Sequence, residues 1–402
     1  LVTGHCFIDL GAGEDYNETD MSATRGPAVD GWVTFECTSG TATLSGIHGT
    51  NSGLGNHKRW ALGQGIDLTG RLAIHQGDTQ EGLWWLDGCR AYTSGGNGNP
   101  TPVSGQVAHG LNTARMSGWF ATDFESFDVV EFNTAPTLAR GSEQHDITGD
   151  MFAKASRAHD SLMYACSFYT IFQAGGTHSD WNQSADGNSG TAWPMADQMR
   201  HCYYQGMRIN DTEASFWQMS NDESPVMNIV FENCLMHNRG LLTNIGEGGV
   251  TNVNILTSGW NVLFIHCTFI EQSMRLEPVG KHRWVYKNCI LADIDSTSTA
   301  SPLTAITLCD IDVSDTVYNV AGSTFPLGSI PGTNQIDGVP VFELVTTAST
   351  NTGLNHTQQD YRLATGSVGK NVAASYQGKP ASVVDCGVWD NVATNNFALS
   401  VA

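Results

Sequence analysis

Ile229-Val230-Phe231-Glu232-Asn233-Cys234-Leu235-Met236 is one of five phrases in which apolar residues alternate around a cysteine. The other four phrases cover residues 162–168, 199–204, 262–269 and 284–291, around Cys166, Cys202, Cys267 and Cys289. Their period of two is typical of a β-strand. The five cysteines are spaced by 36, 32, 33 and 22 residues, which lies in the range of structural repeats. The pattern predicts a solenoid of stacked β coils, with the cysteine at the same point of each strand.

The repeated cysteines are interpreted as small buried residues of the core. One coil cannot bury its inward side chains alone, and stacking places equivalent residues of successive coils above one another. Disulfide bonding is the alternative, but side chains on a regular ladder point the same way, which is a poor approach for an S–S bond. For the remaining cysteines the sequence leaves both states open: Cys6, Cys37, Cys89, Cys309 and Cys386.

The composition favours short strands and tight turns. Of the 402 residues, 44 are Gly and only 15% are charged, and Asn, Ser and Thr are abundant. The formal net charge of −21 argues against nucleic acid and anionic membrane surfaces as partners. No run of 18 apolar residues occurs, so no membrane span is predicted. Because the chain opens at Leu1, we expect that a leader has been removed and that the protein is extracellular or lies on a cell or virion surface.

The solenoid is predicted to occupy most of the chain. Residues 1–30 are interpreted as an N-terminal arm or cap, residues 31–373 as a β-helix with long loops, and residues 374–402 as a C-terminal cap. The stretch Asp360-Tyr361-Arg362-Leu363-Ala364-Thr365-Gly366-Ser367 resembles the closing coil of secreted and surface-associated right-handed parallel β-helix proteins. It departs from them at Val368-Gly369, where they have Pro-Ala.

This resemblance implies an all-β, right-handed, single-stranded parallel β-helix with irregular caps at both ends. Polysaccharide lyases, some glycoside hydrolases and phage tailspikes share that fold. The fold alone does not choose among their activities.

Polar residues follow the cysteine strands at comparable offsets and define a candidate groove. The candidate catalytic residues are His178, Asp180, Arg208 and Arg275. The candidate substrate-binding residues are Trp181, Gln183, Trp217, Gln218, Asn244, Glu247 and Glu277. Residues two apart on a strand share a face, so His178 and Asp180 are expected to lie together. A turn with a polar surface histidine is the alternative interpretation.

Two cleavage chemistries fit these residue types. An imidazole oriented by a carboxylate can act as a general base, and an Arg can neutralise the carboxylate of a uronate during elimination. Hydrolysis needs two carboxylates instead, for which Asp180, Asp211, Glu247 and Glu277 are available. Tryptophans can stack on sugar rings in either chemistry, or simply cover a loop. A calcium ion is a candidate cofactor, with Asp180, Asn182 and Asp186 as its ligands. The local density of carboxylates is too modest to decide whether the ion binds.

The sequence therefore leads to two hypotheses. In the first, an extracellular enzyme cleaves a polysaccharide by elimination or hydrolysis in a groove on the β-helix face. In the second, a non-enzymatic β-helix binds a surface glycan or has a structural role, as a tailspike-like or adhesin protein. A homotrimer favours the tailspike hypothesis, and a monomer counts against it.

Overall fold

The computed structural model describes about half of the chain. The described residues are 5–16, 19–20, 32–44, 47–50, 58–69, 72–75, 82–92, 109–112, 118–127, 131–132, 136–148, 161–172, 180–183, 202–212, 215–219, 228–237, 241–245, 262–270, 273–275, 283–292, 295–296, 310–318, 332–344, 360–375 and 385–388. Within them every regular element is a β-strand, and no helix is long and apolar enough to cross a membrane.

The strands form three long parallel stacks and one small antiparallel pair. Sheet A contains β1 (Cys6–Asp9), β4 (Val33–Glu36), β7 (Lys58–Leu62), β10 (Gly82–Asp87), β13 (Gly118–Thr122), β16 (Leu138–Arg140), β18 (Leu162–Tyr164), β21 (Tyr203–Gln205), β24 (Ile229–Glu232), β27 (Val262–Ile265), β30 (Arg283–Lys287) and β33 (Asp310–Ser314). Sheet B contains β2 (Asp15–Tyr16), β5 (Ala42–Leu44), β8 (Ile66–Leu68), β11 (Arg90–Tyr92), β14 (Glu125–Phe127), β17 (Glu143–Thr148), β19 (Ser167–Phe172), β22 (Arg208–Thr212), β25 (Leu235–His237), β28 (Thr268–Ile270), β31 (Ile290–Ala292), β34 (Val317–Tyr318) and β35 (Ile336–Asp337).

The third stack consists of two five-stranded sheets. Sheet C1 contains β3 (Thr19–Asp20), β6 (Ile47–Thr50), β9 (Leu72–His75), β12 (His109–Asn112) and β15 (Glu131–Phe132). Sheet C2 contains β20 (Asp180–Gln183), β23 (Ser215–Met219), β26 (Leu241–Ile245), β29 (Ser273–Arg275) and β32 (Asp295–Ser296). The antiparallel pair is β36 (Phe342–Leu344) with β37 (Asp360–Leu363).

The order of the strands confirms the predicted parallel β-helix. The chain visits sheet A, sheet B and, in most coils, sheet C1 or C2, and each strand pairs in parallel with its equivalent in the next coil. The first coil is built from β1, β2 and β3, which pair with β4, β5 and β6. These three strands lie inside the segment 1–30 that the sequence assigned to an arm or cap. The domain boundaries at residues 30 and 373 stay predictions.

A two-residue turn, here called the A–B turn, joins sheet A to sheet B in nine successive coils from β10 to β33. Its first residue has a positive φ in every one of them. These residues are Gly88, Asp123, Gly141, Ala165, Gly206, Asn233, His266, Asn288 and Asp315. Gly, Asn and Asp tolerate the left-handed region best, which accounts for most of this set. The second residue is buried and begins the approach to sheet B.

The sequence predicted that the repeated cysteines lie within strands, but four of the five lie in this turn. Cys166, Cys234, Cys267 and Cys289 occupy the second position of the A–B turn. Cys202 does not, because it precedes β21, and Met207 fills the turn position of its coil. The prediction that all five cysteines occupy equivalent points was therefore wrong for Cys202.

The prediction of buried free thiols is confirmed. None of the nine described cysteines forms a disulfide bond, and eight of them are buried. The status of Cys309 lies outside the described residues. Burial raises the pKa of Cys166 to about 12, and it raises the pKa values of Cys234 and Cys267 well above the usual thiol range. These thiols stay protonated at neutral pH and serve as core residues.

Large side chains stack along the interior of sheet A. The ring of Phe264 lies 5.0 Å from that of Phe231 and 4.8 Å from that of Tyr286, with interplanar angles of 14° and 13°. Phe269 of sheet B meets Phe264 edge-on at 5.2 Å. Each of these rings is at most 1% exposed. Successive coils therefore bury one another, as a solenoid requires.

The C-terminal part packs on the outer side of sheet B. Tyr361, Leu363, Cys386 and Val388 form a buried cluster with Leu235, Ile290 and Val317, which begin three strands of sheet B. The stretch that resembled a closing coil thus forms an antiparallel strand, β37, with the residues after it lying against the solenoid. Residues 361–375 and 385–388 are called the strap below.

Candidate functional site

Four of the predicted site residues fall into one row of sheet C2. Gln183 pairs with Gln218, Gln218 pairs with Asn244, and Asn244 pairs with Arg275. The row, called the C2 row, crosses four successive strands at a spacing of about 4.8 Å. These four backbone positions are therefore in register across the coils.

Strand alternation separates the other predicted residues of sheet C2 into two groups. Trp181 is two residues from Gln183 and belongs to the face of the C2 row. Asp180 belongs to the opposite face, and so does Trp217, which pairs with Asn182. Asp180 begins another row that continues through Ser215 and Leu241. Beyond it the register shifts between Leu241 and Thr243, so that Ser273 and Arg275 lie two residues apart on β29. Asp180 and Gln183 therefore do not share a face of the sheet.

Arg208 lies on sheet B, away from the C2 row. It begins β22 directly after the A–B turn and is only 4% exposed. Its Nη1 donates to the carbonyl oxygens of Met207 at 2.8 Å and of Asn233 at 2.6 Å. These bonds tie two neighbouring turns together. A catalytic role of Arg208 stays a prediction, since its described contacts are to backbone.

Three predicted site residues lie outside the described residues: His178, Glu247 and Glu277. Their roles stay predictions, as does calcium binding. Asp186 also lies outside, and Asp211 belongs to β22 of sheet B. Among the described residues, no three His, Cys, Asp or Glu side chains are grouped so that they could hold a metal ion.

A second candidate surface lies on the outer face of sheet A, where the sequence predicted no site. Its first row is apolar and half-buried, and only Leu162 is exposed, at 39%. This outer apolar row consists of Trp85, Phe120, Leu138, Leu162, Tyr203, Val230, Leu263 and Val285. Trp32 adds its ring to this face and meets Trp85 at 5.8 Å and Phe120 at 6.3 Å.

A polar row runs beside it, two residues further along each strand. This outer polar row consists of Asp87, Thr122, Arg140, Tyr164, Gln205 and Glu232, which pair in register across six strands. The signal was present in the sequence as the residues that alternate with the buried ones before each turn. The candidate groove was predicted from the polar residues after the cysteines, and the outer polar row lies before them.

Hydrogen bonds hold both ends of the outer polar row. Trp85 Nε1 donates to Thr122 Oγ1 at 2.7 Å, and Thr122 Oγ1 donates to Asp87 Oδ1 at 2.5 Å. At the other end Tyr203 donates its hydroxyl to the buried carboxylate of Glu232. Burial and this bond raise the pKa of Tyr203 far above its usual value, so Tyr203 stays a donor at neutral pH.

Sheet B carries a third outer cluster, which is closed on itself. Arg90 donates from Nε and Nη2 to the carboxylate of Asp67 at 2.9 and 2.7 Å, and the hydroxyl of Tyr92 donates to the same group at 3.0 Å. Phe127 stacks between Tyr92 and His145 at 4.9 and 5.4 Å. Because the stack uses both ring faces of Phe127, this central ring offers no flat platform to a sugar.

Comparison with known proteins gives a weak similarity to a solved structure. No family model matches the chain, and no curated protein matches it. Among solved structures, the crystal structure of pectate lyase Pel9A matches with a TM-score of 0.38 and 8% identity, over 95% of this chain and 97% of that chain. A likeness at this level transfers no activity.

Proposed function

We propose that the protein binds a polysaccharide along the C2 row and cleaves it by elimination or hydrolysis. The observation that supports this proposal is the register of Gln183, Gln218, Asn244 and Arg275 on four successive strands. Three strand intervals of about 4.8 Å give a row about 14 Å long, which suits an extended chain of sugars rather than a single small molecule. An extracellular or surface location is part of the same proposal.

The residue types of the C2 row suit a sugar ligand. An amide both donates and accepts hydrogen bonds, as sugar hydroxyls do. The guanidinium of an arginine binds a carboxylate or a sulfate through two parallel N–H bonds. Arg275 at the end of the row would therefore hold an acidic group, and the three amides would hold the hydroxyls of neighbouring units.

Binding without cleavage is the second candidate function, and one observation favours it. Three of the four residues in the C2 row are amides, which cannot transfer protons at neutral pH. Asp180, the carboxylate that the sequence placed beside them, belongs to the other face of β20. Cleavage thus requires a proton-transferring group from outside the row, for which His178 is the sequence candidate.

The test combines a polysaccharide panel with paired variants. The purified protein is incubated with acidic and neutral polysaccharides, with and without calcium, while unsaturated ends and reducing ends are measured separately. Gln183→Ala is compared with Asn182→Ala, because the two amides are neighbours in β20 but belong to opposite faces. Arg275→Gln removes the cation of the row without changing the length of the side chain greatly.

Each outcome has a distinct meaning. Unsaturated ends indicate elimination, and reducing ends alone indicate hydrolysis. We expect Gln183→Ala and Arg275→Gln to lower cleavage at least tenfold and Asn182→Ala to leave it unchanged. Retained binding of a polysaccharide without new ends supports the second candidate. Equal effects of Gln183→Ala and Asn182→Ala would remove the C2 row from the site.

A further inference from the structure

We propose that the outer face of sheet A is a second saccharide-binding surface, which takes a linear acidic saccharide and holds its anionic group with Arg140. This surface is separate from the C2 row and extends saccharide binding to another face of the solenoid. It consists of the outer apolar row and the outer polar row in the strands β10 to β24.

Arg140 provides the cation of this surface. Arg140 is exposed and lies at the end of β16, between Thr122 and Tyr164 in the outer polar row. Among the described residues, none forms a hydrogen bond or an ion pair with its guanidinium. In a chain with a net charge of −21, an exposed and available guanidinium is a local site for an anion.

Both carboxylates of the outer polar row already accept a hydrogen bond, and Asp123, whose carboxylate lies beside Gly141, forms no ion pair with Arg140. Asp87 accepts a hydrogen bond from Thr122, and Glu232 accepts one from Tyr203. Asp87 lies two strands before Arg140 and Glu232 three strands after it, which corresponds to about 10 and 14 Å. Both distances are at or beyond the screening length of about 8 Å at physiological salt. An anion on Arg140 therefore meets little repulsion from either group.

The apolar neighbours select a saccharide over a simple anion. Leu138 lies two residues before Arg140 on the same strand, with Phe120 and Leu162 in register on either side of Leu138. Trp85 continues the row, and Trp32 packs against it edge-on. Sugar rings present C–H groups on one side, and such groups pack on aromatic and apolar surfaces. The polar row, two residues away, then meets the hydroxyls and the acidic group.

The register suits a chain that lies along the solenoid axis. Equivalent positions repeat at each strand, about every 4.8 Å, which is comparable to the length of one sugar unit. Successive sugars would meet equivalent pairs of one apolar and one polar residue. Tyr164 and Gln205 provide the hydroxyl and the amide that follow Arg140 in the row.

A second copy of the chain is a poorer occupant of this face. A stable protein interface buries about 800 Å² on each partner. The outer apolar row is mostly half-buried already, since Leu162 is its only exposed member. One row of such side chains presents much less area than an interface needs. The exposed guanidinium in the neighbouring row also favours an anionic ligand.

The test measures binding of two matched oligosaccharides by calorimetry. A hexamer of a uronic acid and a neutral hexamer with the same linkage are titrated into the wild type, Arg140→Gln and Lys287→Gln. Lys287 belongs to the continuation of the same row, five strands from Arg140, and its loss removes the same charge. All titrations are repeated in the background of Arg275→Gln, so that binding at the C2 row does not contribute. Thermal unfolding confirms that each variant is folded.

We expect the acidic hexamer to bind the Arg275→Gln protein and to lose at least tenfold in affinity on further substitution of Arg140. Lys287→Gln should change the affinity less than twofold, and added salt should weaken binding of the acidic hexamer. Leu162→Ala should weaken both hexamers. Equal effects of Arg140→Gln and Lys287→Gln, or no binding in the Arg275→Gln background, would overturn the proposal. Because cleavage by the C2 row is measured separately, the two sites fail independently.

Discussion

At the scale of single residues, the A–B turn imposes two different demands. Its first residue must adopt a positive φ, between 48° and 65° in nine successive coils. An L-residue pays about 1–2 kcal/mol for that conformation, and Asn and Asp are among the few that adopt it routinely. Ala165, at a φ of 52°, is the member of the series with neither a missing Cβ nor a polar side chain.

Substitution of Ala165 by Gly is therefore expected to stabilise the protein. Relief of the left-handed strain outweighs the greater freedom of glycine in the unfolded chain, and the net gain is about 0.5–1 kcal/mol in the free energy of unfolding. Urea denaturation measures it. The control is Ala139→Gly, at an inward strand position that is 2% exposed, where the same change should destabilise. A loss of stability in both variants would contradict the strain at Ala165.

The second residue of the turn must be a small hydrogen-bond donor in much of the solenoid. The thiol of Cys267 lies 3.5 Å from the carbonyl oxygen of Ile265 and 3.4 Å from that of Phe231. Cys289 repeats the arrangement one coil later, at 3.3 and 3.4 Å. Thr316 repeats it with its hydroxyl, at 2.8 and 3.4 Å. The repeated cysteines thus bind the carbonyl groups at the ends of sheet A strands.

These buried thiols make the protein sensitive to alkaline pH. Burial raises the pKa of Cys166 to about 12, whereas the same thiol in the unfolded chain ionises near pH 8.5. The unfolded state therefore loses its proton first, and stability falls as pH rises from about 8.5 to 12, by about 1.4 kcal/mol per pH unit for this thiol. Below pH 8 the thiol causes no pH dependence.

The measurement is a set of urea denaturation curves between pH 7 and pH 11 for the wild type and Cys166→Ala. The variant loses a buried side chain, so its stability is lower at every pH. Its curve against pH should nevertheless be shallower above pH 9, because one buried thiol no longer titrates. Parallel curves for the two proteins would show that Cys166 ionises equally in both states.

At the scale of elements, close contact attaches the strap to sheet B. The amide of Val388 donates to Thr268 Oγ1 at 3.1 Å, and the side chain of Asn288 exchanges two hydrogen bonds of 2.8 Å with the backbone of Ala374. A Cβ at Gly387 would lie 2.5 Å from both Ile290 Cδ1 and Thr268 Oγ1. The strap approaches the solenoid this closely because residue 387 has no side chain.

Gly387→Ala is accordingly expected to loosen the strap, and Gly366→Ala serves as its control. Both glycines have a positive φ, of 72° and 82°, but a Cβ at Gly366 would meet nothing within 4 Å. The control thus carries the conformational cost of about 1–2 kcal/mol alone, and Gly387→Ala should cost at least 1 kcal/mol more. Hydrogen exchange at the amide of Val388 should also accelerate only in Gly387→Ala. Equal costs would mean that the contact adjusts freely.

The sequence predicted the strands of the solenoid better than its turns or its surfaces. Alternation around Cys234, Cys267 and Cys289 revealed strands, because inward and outward residues differ in polarity. The prediction for Cys202 was wrong, because a period of two fixes neither the register of a strand nor the side of the turn on which a cysteine lies. The C2 row was foreseen as polar residues at comparable offsets. The opposite placement of Asp180 follows from alternation, because Asp180 and Gln183 are three residues apart, but the groove was predicted from offsets in the sequence and not from strand faces.

At the scale of the whole molecule, the solenoid is a one-dimensional stack. Each coil of the described part contacts mainly the coils before and after it, so stability is expected to be a sum of coil and neighbour contributions. The strap is an exception, because it joins residues far apart in sequence, such as Thr268 and Val388. We therefore expect that the loss of structure caused by a local substitution spreads to neighbouring coils. The strap should limit this spread in the coils that it contacts.

Phe264→Ala tests this view of the molecule. Phe264 is fully buried and stacks with rings of the coils on both sides, so its loss should cost about 3–5 kcal/mol. Leu263→Ala in the same strand changes a half-exposed outer residue and should cost about 1 kcal/mol. In hydrogen exchange, Phe264→Ala should first deprotect β24, β27 and β30, while β10 and β13, four or more coils away, keep the protection they have in the wild type. A stack of neighbour contacts transmits a defect only through adjacent coils. Uniform deprotection of all these strands would instead identify a single cooperative unit, in which the two proposed binding surfaces on sheets A and C2 would be stabilised or lost together.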